Sequence, residues 1–161
     1  MVADGIEAPA PDEVSRGLKR GATAMLDAGP PGLDPELDAR LRYEIGDMLD
    51  DLRDPRPCRE LLGIGGVSFA SLANYVLRSR GRWSAPGKAI AAALGRLDPL
   101  MAETYVRAFE LPFRAGDAGE VLQLAENILA PRGGPHFDGW RSAAPSTRRS
   151  SRPGRRKIDP G

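Results

Sequence analysis

Four basic residues and a tryptophan lie within one short stretch of the sequence, and basic side chains can bind phosphate. The stretch runs from Arg78 through Arg80, Arg82 and Trp83 to Lys88, between two segments with helical apolar spacing. If the turn brings the cations together, the N-terminus of the second helix adds partial positive charge, a setting suited to phosphate. The alternative is structural, because cations also complement a helix C-terminus and a tryptophan can fill a core. Both interpretations stay open on these residues alone.

The same stretch resembles a Walker A phosphate loop but does not match it. Five residues separate Gly81 from Gly87-Lys88, where the motif has four, and Ala89 replaces the Ser or Thr that would hold Mg²⁺. The Gly63–Gly66 segment likewise lacks the third glycine and the preceding strand of a dinucleotide fingerprint. Phosphate binding would therefore depend on side-chain cations and a helix end.

Acidic residues form a second group, on a predicted helix (Glu44, Asp47, Asp50, Asp51 and Asp54). Asp47 and Asp51, four residues apart, could share a divalent cation. A solvated polar face opposite the apolar stripe of that helix is the favoured interpretation, so we predict no metal site. A single cysteine, Cys58, excludes an intramolecular disulfide, and with His136 as the one histidine a Cys/His zinc site is excluded as well.

The formal net charge of +1 conceals two unlike parts. Residues 1–131 carry 15 Lys/Arg against 20 Asp/Glu, whereas residues 132–161 carry 8 against 2. Six of these cations fall within Arg148–Lys157, in a region rich in glycine and proline that we predict to be disordered. This tail could contact RNA or DNA weakly through phosphates, or it is a basic extension without a partner.

Apolar residues recur at helical spacing nearly throughout the chain, and no alternating β-branched run predicts a strand. One face is formed by Leu37, Leu41, Ile45, Met48 and Leu52, after an Asp34-Pro35 start and before Pro55. The pattern predicts an all-α bundle of about six short helices.

Local signals predict where several other helices begin and end. Asp98-Pro99 begins one helix and Pro112 should kink or shorten it, while Asp117 and Glu120 have capping-box spacing. A further short helix should open at Pro86 or Gly87, and Glu13–Ala28 should form a weaker helix. The glycines at 63, 65 and 66 either break their helix or allow close packing.

We predict three parts: an acidic segment 1–32 with a weak helix, a helical domain 33–141, and the basic tail 142–161. No secretory signal is recognisable, and the uninterrupted apolar runs are far shorter than the roughly 20 residues of a membrane span. We therefore expect a cytoplasmic protein without a membrane partner.

Three stretches of the sequence carry a family resemblance: RYEIGDMLDDLRDPRP, VLRSRGRWSAPGKAIAAALGRLDP and YVRAFELPFRAGDAGEVLQLAENILAPRGGPHFDGWR. Together, over roughly Leu33 to Arg141, they resemble the helical C-terminal domain of bacterial nucleotidyltransferases of the polymerase-β-like superfamily, which includes aminoglycoside nucleotidyltransferases. GRWSAPGK and the following LDP are the most particular match.

The resemblance implies a two-part enzyme that uses Mg²⁺ and a nucleoside triphosphate. The Gly-Ser and Asp-x-Asp motifs of its catalytic half are absent from this chain, which would then be inactive alone and need a separately encoded catalytic domain. By the same resemblance Lys88 would contact the triphosphate, with Arg82 supporting it and Trp83 lining the site. The alternative is a non-enzymatic helical interaction module. The face that a missing partner domain leaves exposed would favour association, including homo-oligomers.

Overall fold

A computed structural model describes residues 12–54 and 57–135, apart from the side chain of Cys58. These residues form six α-helices and no strand, which confirms the predicted all-α bundle. The helices are α1 (Glu13–Ala28), α2 (Pro35–Arg53), α3 (Cys58–Ser79), α4 (Ala89–Leu97), α5 (Pro99–Ala115) and α6 (Gly119–Leu129), and a 3₁₀ helix (Ala130–Arg132) follows. The predicted disordered tail and His136 lie outside the described residues.

Local capping sets several of these boundaries. Asp34 Oδ1 accepts from the Leu37 amide at 2.8 Å, and Asp98 Oδ1 accepts from the Met101 amide at 3.0 Å. Each aspartate is followed by a proline, whose missing N–H is unneeded in the first helical turn. The Asp-Pro predictions are confirmed at both helices.

The predicted capping box at Asp117 and Glu120 is wrong. Helix α6 begins at Gly119 after Ala118, without a side-chain cap. Asp117 Oδ1 instead accepts from the amide of Gly119, two residues on, at 2.8 Å. This shorter aspartate turn satisfies one amide at the helix start in place of the box.

The three glycines at 63, 65 and 66 do not break α3, which is one continuous helix. A Cβ at Gly65 would lie 3.0 Å from Cζ of Phe113, whereas Gly63 and Gly66 face open space. The missing side chain of Gly65 therefore lets the aromatic ring of Phe113 on α5 pack closely against α3, and among the described residues no other backbone approaches there. Helix α5 itself continues one turn past Pro112 and ends at Gly116, whose φ is +70°.

Four helices close a ring, in which α2 packs on α3, α3 on α5, α5 on α6, and α6 back on α2. Helix α4 packs outside this ring against α3 and α5. The core includes an aromatic cluster of Phe69, Tyr105 and Phe109, whose ring centroids lie 5.1–5.2 Å apart. The Tyr105 hydroxyl donates to the carbonyl of Phe69 at 2.7 Å, so that the polar end of a buried ring is satisfied.

Helix α1 stands apart from this bundle. None of its residues is buried, and no other described helix packs closely on it. Its apolar side chains Val14, Leu18 and Met25 are 62–70% exposed. Spacings of four and seven residues place the three on one face of the helix, so α1 presents an uncovered apolar stripe.

Candidate ligand-binding site

The turn between α3 and α4 is held in place from two sides. The Asn74 side chain accepts from the amide of Ala85 at 2.9 Å, which fixes the turn to α3. The indole N–H of Trp83 donates to the carbonyl of Leu26 at 3.4 Å, which joins the turn to the end of α1. Gly29 lies close by, since a Cβ there would be 3.5 Å from the carbonyl oxygen of Gly81.

The structure does not bring all the predicted cations of this turn to one point. Arg78 lines a cavity of about 300 Å³ between α2 and α3, and its guanidinium donates to the Pro31 carbonyl at 2.8 Å. Arg80 lines another cavity, of about 390 Å³, between α3 and α6. Arg82 and Trp83 line a third, of about 270 Å³, between α3 and α4. Because successive residues at a helix end point in different directions, the cations diverge around it.

The Arg82 cavity combines positive charge, an indole and apolar surface. Arg96, from the last turn of α4, is a second cation in it, and Leu77, Ala93 and Leu97 provide apolar surface. Trp83 is 40% exposed, so the indole is partly accessible. Among the described residues neither Arg82 nor Arg96 has an ion-pair partner.

Lys88 does not line this cavity. It is the exposed residue just before α4, eight residues from Arg96, a separation of roughly 12 Å along a helix axis. Its predicted contact with a triphosphate stays a prediction. Arg96 was not among the site residues predicted from the sequence. The one feature of the sequence that could have indicated it is its position in the GRLDP segment, close to the predicted turn.

A buried charge cluster between α2 and α3 is the other polar feature that the sequence did not predict. Asp38 is 7% and Arg42 8% exposed, and Arg42 Nε donates to Asp38 Oδ2 at 3.0 Å. Asp38 Oδ1 accepts from the Tyr75 hydroxyl at 3.1 Å and from Arg132 Nη1 at 3.3 Å. Arg42 Nη1 also donates to the Gly134 carbonyl at 2.8 Å. The cluster therefore ties α2, α3 and the segment after α6 together.

The environment of Tyr75 keeps it protonated well above the pH at which an ordinary tyrosine ionises. Burial, followed by the charge of Asp38 and the hydrogen bond to it, raises the pKa of Tyr75 to about 12. Arg132 and Arg42 oppose the rise in this pKa to a lesser extent. Tyr75 is therefore a permanent donor to the carboxylate of Asp38. The sequence signal for the cluster was the Asp38–Arg42 spacing of four residues, which favours an ion pair on one helix face.

The acidic flank of α2 behaves as a polar surface. Glu44, Asp47, Asp50 and Asp54 are exposed, Glu44 pairs with Arg40 at 3.7 Å, and Asp50 pairs with Arg53. Within 12–54 and 57–135, no group of three or more His, Cys, Asp or Glu is placed to hold a metal ion. These residues therefore do not fit the magnesium site that the family resemblance implies for a complete enzyme.

One described helix, Arg59–Ser79 of α3, is long and apolar enough to cross a membrane by length and composition. Its Leu72, Tyr75 and Val76 are buried by neighbouring helices, and α3 packs on three of them. A core helix of a soluble protein has this character as well, because its contacts with protein replace those with water.

No protein-family model, curated protein or solved structure matches this chain with significance.

Proposed function

We propose that this chain is a helical nucleotide-binding domain that holds a nucleoside triphosphate at the cavity formed by Arg82, Trp83 and Arg96. The observation that carries the proposal is a pair of arginines, neither of which forms an ion pair with any described residue, beside a partly exposed indole. Nucleobases stack on tryptophan, and guanidinium groups bind phosphate oxygens in a bidentate geometry. A base and a polyanion can thus be held by neighbouring side chains of one cavity.

The size of the cavity indicates that part of the ligand stays uncovered. A volume of about 270 Å³ lies just under the roughly 300–1,000 Å³ of sites that enclose drug-sized molecules. The remainder of a nucleotide would extend over exposed Arg82 and Arg96. A second protein that covers this opening would complete the site.

The nucleotidyltransferase part of the proposal rests on the resemblance described above. A separately encoded catalytic domain would supply the carboxylates for Mg²⁺, which stabilises attacking and leaving oxygens in nucleotidyl transfer, and this chain would position the nucleotide. We assign the apolar stripe of α1 to that partner, because the end of α1 contacts Trp83 and a protein docked there would border the cavity. Because a protein that uses nucleoside triphosphates needs a compartment that contains them, the proposed location is the cytoplasm.

Tryptophan fluorescence tests nucleotide binding directly. In a Trp140→Phe background, Trp83 is the single tryptophan, so stacking of a base should quench its emission saturably when ATP·Mg²⁺ is added. Arg82→Met and Arg96→Met should each weaken binding roughly tenfold, the effect of losing a charge-assisted hydrogen bond of about 1.4 kcal/mol. Arg107→Met on α5 is the matched control, since Arg107 is exposed and lines none of the three cavities around the turn.

A further variant tests Lys88, which was predicted from the sequence but does not line the cavity. Lys88→Ala should weaken ATP binding only if the triphosphate reaches the start of α4, about two helical turns from Arg96. Absence of quenching, or equal affinities for the Arg82, Arg96 and Arg107 variants, would refute nucleotide binding at this cavity. A stable complex formed through α1 without any nucleotide binding would instead favour the non-enzymatic interaction module.

A further inference from the structure

The cavity lined by Arg80 has a different composition from the nucleotide cavity. It lies between the C-terminal end of α3, α6 and the 3₁₀ helix, and its volume is about 390 Å³. Helices α3 and α6 are not among the closely packed pairs of the described bundle, so space remains between them. This volume falls within the range of sites that bury small organic ligands.

Positive charge is in excess around this cavity. Arg132 lines it and donates to Asp38, but Asp38 also pairs with Arg42, so one carboxylate is shared by two guanidiniums. Arg80 lines the same cavity and has no ion-pair partner among the described residues. An anion in the cavity would balance the charge of Arg80, with which none of the described residues forms an ion pair.

Neutral donors add to the two arginines. Oδ1 of the Asn127 side chain accepts a hydrogen bond from Gln123 Nε2 at 3.4 Å. The side-chain NH₂ group of Asn127 can therefore donate into the cavity, which Asn127 lines. The side chain of Arg132 uses only Nη1 and Nη2 in long contacts, at 3.3 Å to Asp38 and 3.5 Å to the Ser79 carbonyl. The Arg132 side chain is 43% exposed, so it has room to turn toward a ligand.

The rest of the lining is largely apolar (Val76, Met101, Leu124, Ile128 and Pro131). Inorganic phosphate would leave this surface uncovered, whereas an apolar group attached to an anionic head would remove it from water. The sequence from 136 to 161 is electrostatically unsuited to the cavity, because it carries seven Lys/Arg and two Asp.

We propose that Arg80 and Arg132 form a second binding site, for a small amphiphilic anion with a phosphate or carboxylate head and a short apolar tail. The head would contact the two guanidiniums, and the tail would lie between α3 and α6. The site is independent of the nucleotide cavity, with which it shares no lining residue.

Isothermal titration calorimetry of the full chain tests this site with four probes. Hexyl phosphate and hexanoate present the two head groups on the same tail, hexanol removes the charge, and inorganic phosphate removes the tail. We expect one or both amphiphilic anions to bind at least about tenfold more tightly than hexanol and inorganic phosphate, since only they use charge and apolar surface together. The stronger of the two identifies the head group.

Variants locate the bound anion. Arg80→Met should weaken binding roughly tenfold, and Arg132→Met should do the same, while Arg96→Met and Arg107→Met should leave the affinity unchanged. Arg80→Met is the decisive variant, because Arg80 has no described partner whose loss would disturb the fold. The proposal is overturned if hexanol binds as tightly as the anions, or if Arg80→Met binds the preferred anion like Arg107→Met.

Discussion

The hydroxyl of Tyr75 donates a hydrogen bond of 3.1 Å to Asp38, which lies 37 residues earlier in the chain and on a different helix. This contact joins the buried face of α2 to α3. The buried face of α2 comprises Asp38, Arg42, Ile45, Gly46, Leu49 and Leu52. Leu37 and Leu41, which the sequence placed in the apolar stripe, are only partly buried.

Asp38→Asn should be strongly destabilising. The substitution keeps the size of the side chain but removes the negative charge that pairs with the largely buried Arg42, and breaking a buried ion pair typically costs about 3–5 kcal/mol of unfolding free energy. Urea denaturation followed by circular dichroism measures it. Asp47→Asn, on the exposed face of the same helix, is the control and should change the free energy of unfolding by less than about 0.5 kcal/mol. Equal effects of the two substitutions would contradict a stabilising role for the cluster.

Because the pKa of Tyr75 is raised in the folded chain, we predict that the free energy of unfolding decreases at alkaline pH. Its pKa is about 12 in the folded chain against 10.0 as the ordinary value, so between these pH values the folded state binds more protons than the unfolded state. The free energy of unfolding therefore falls as pH rises, and the contribution of protonated Tyr75 is complete below pH 10.

Comparison with Tyr75→Phe isolates this effect from other groups that titrate at high pH. The stability difference between the natural chain and the variant should be constant between about pH 7 and 9 and shrink between about pH 10 and 12. Urea unfolding midpoints at a series of pH values measure it. A difference that stays constant across the whole range would show that Tyr75 titrates alike in the folded and unfolded chains.

The glycines of α3 should respond differently to alanine. Gly63→Ala and Gly66→Ala introduce a methyl group into open space and should each raise the free energy of unfolding by about 0.5–1 kcal/mol. Gly65→Ala should lose this gain, because its Cβ would lie 3.0 Å from the ring of Phe113. Thermal and urea unfolding of the three variants provide the comparison.

A double-mutant cycle tests whether Phe113 is the cause. In a Phe113→Ala background Gly65→Ala should become stabilising, with a coupling of roughly 1 kcal/mol between the two positions. Phe113 is 38% exposed, so its removal should leave the bundle folded. Zero coupling would mean that the ring moves aside without cost.

Much of the secondary structure could be predicted from the sequence because its causes are local. Asp34-Pro35 and Asp98-Pro99 set helix starts through hydrogen bonds that span three residues. The bounds of α1 also match the prediction, Glu13–Ala28. The all-α class followed from apolar spacing, which a helix imposes within two turns.

The candidate sites were only partly predictable. Arg82 and Trp83 do line one cavity, but Arg78 and Arg80 line two others. Arg96, which was not among the predicted site residues, reaches the first cavity from the last turn of α4. The direction of each side chain depends on where its helix ends and how its neighbours pack. Composition cannot supply that geometry.

By itself, the sequence determined an acidic helical body, a basic C-terminal region and the positions of most helix ends, since these depend on composition and on contacts between near neighbours. Only the tertiary structure decided that α3 runs unbroken through its glycines and that Asp38 and Arg42 turn inward. The partners responsible, Phe113 for Gly65, and Tyr75 and Arg132 for Asp38, lie 37 to 94 residues away along the chain. Packing between such distant segments sets the rotation of each helix, and that rotation determines which charged residues share a cavity.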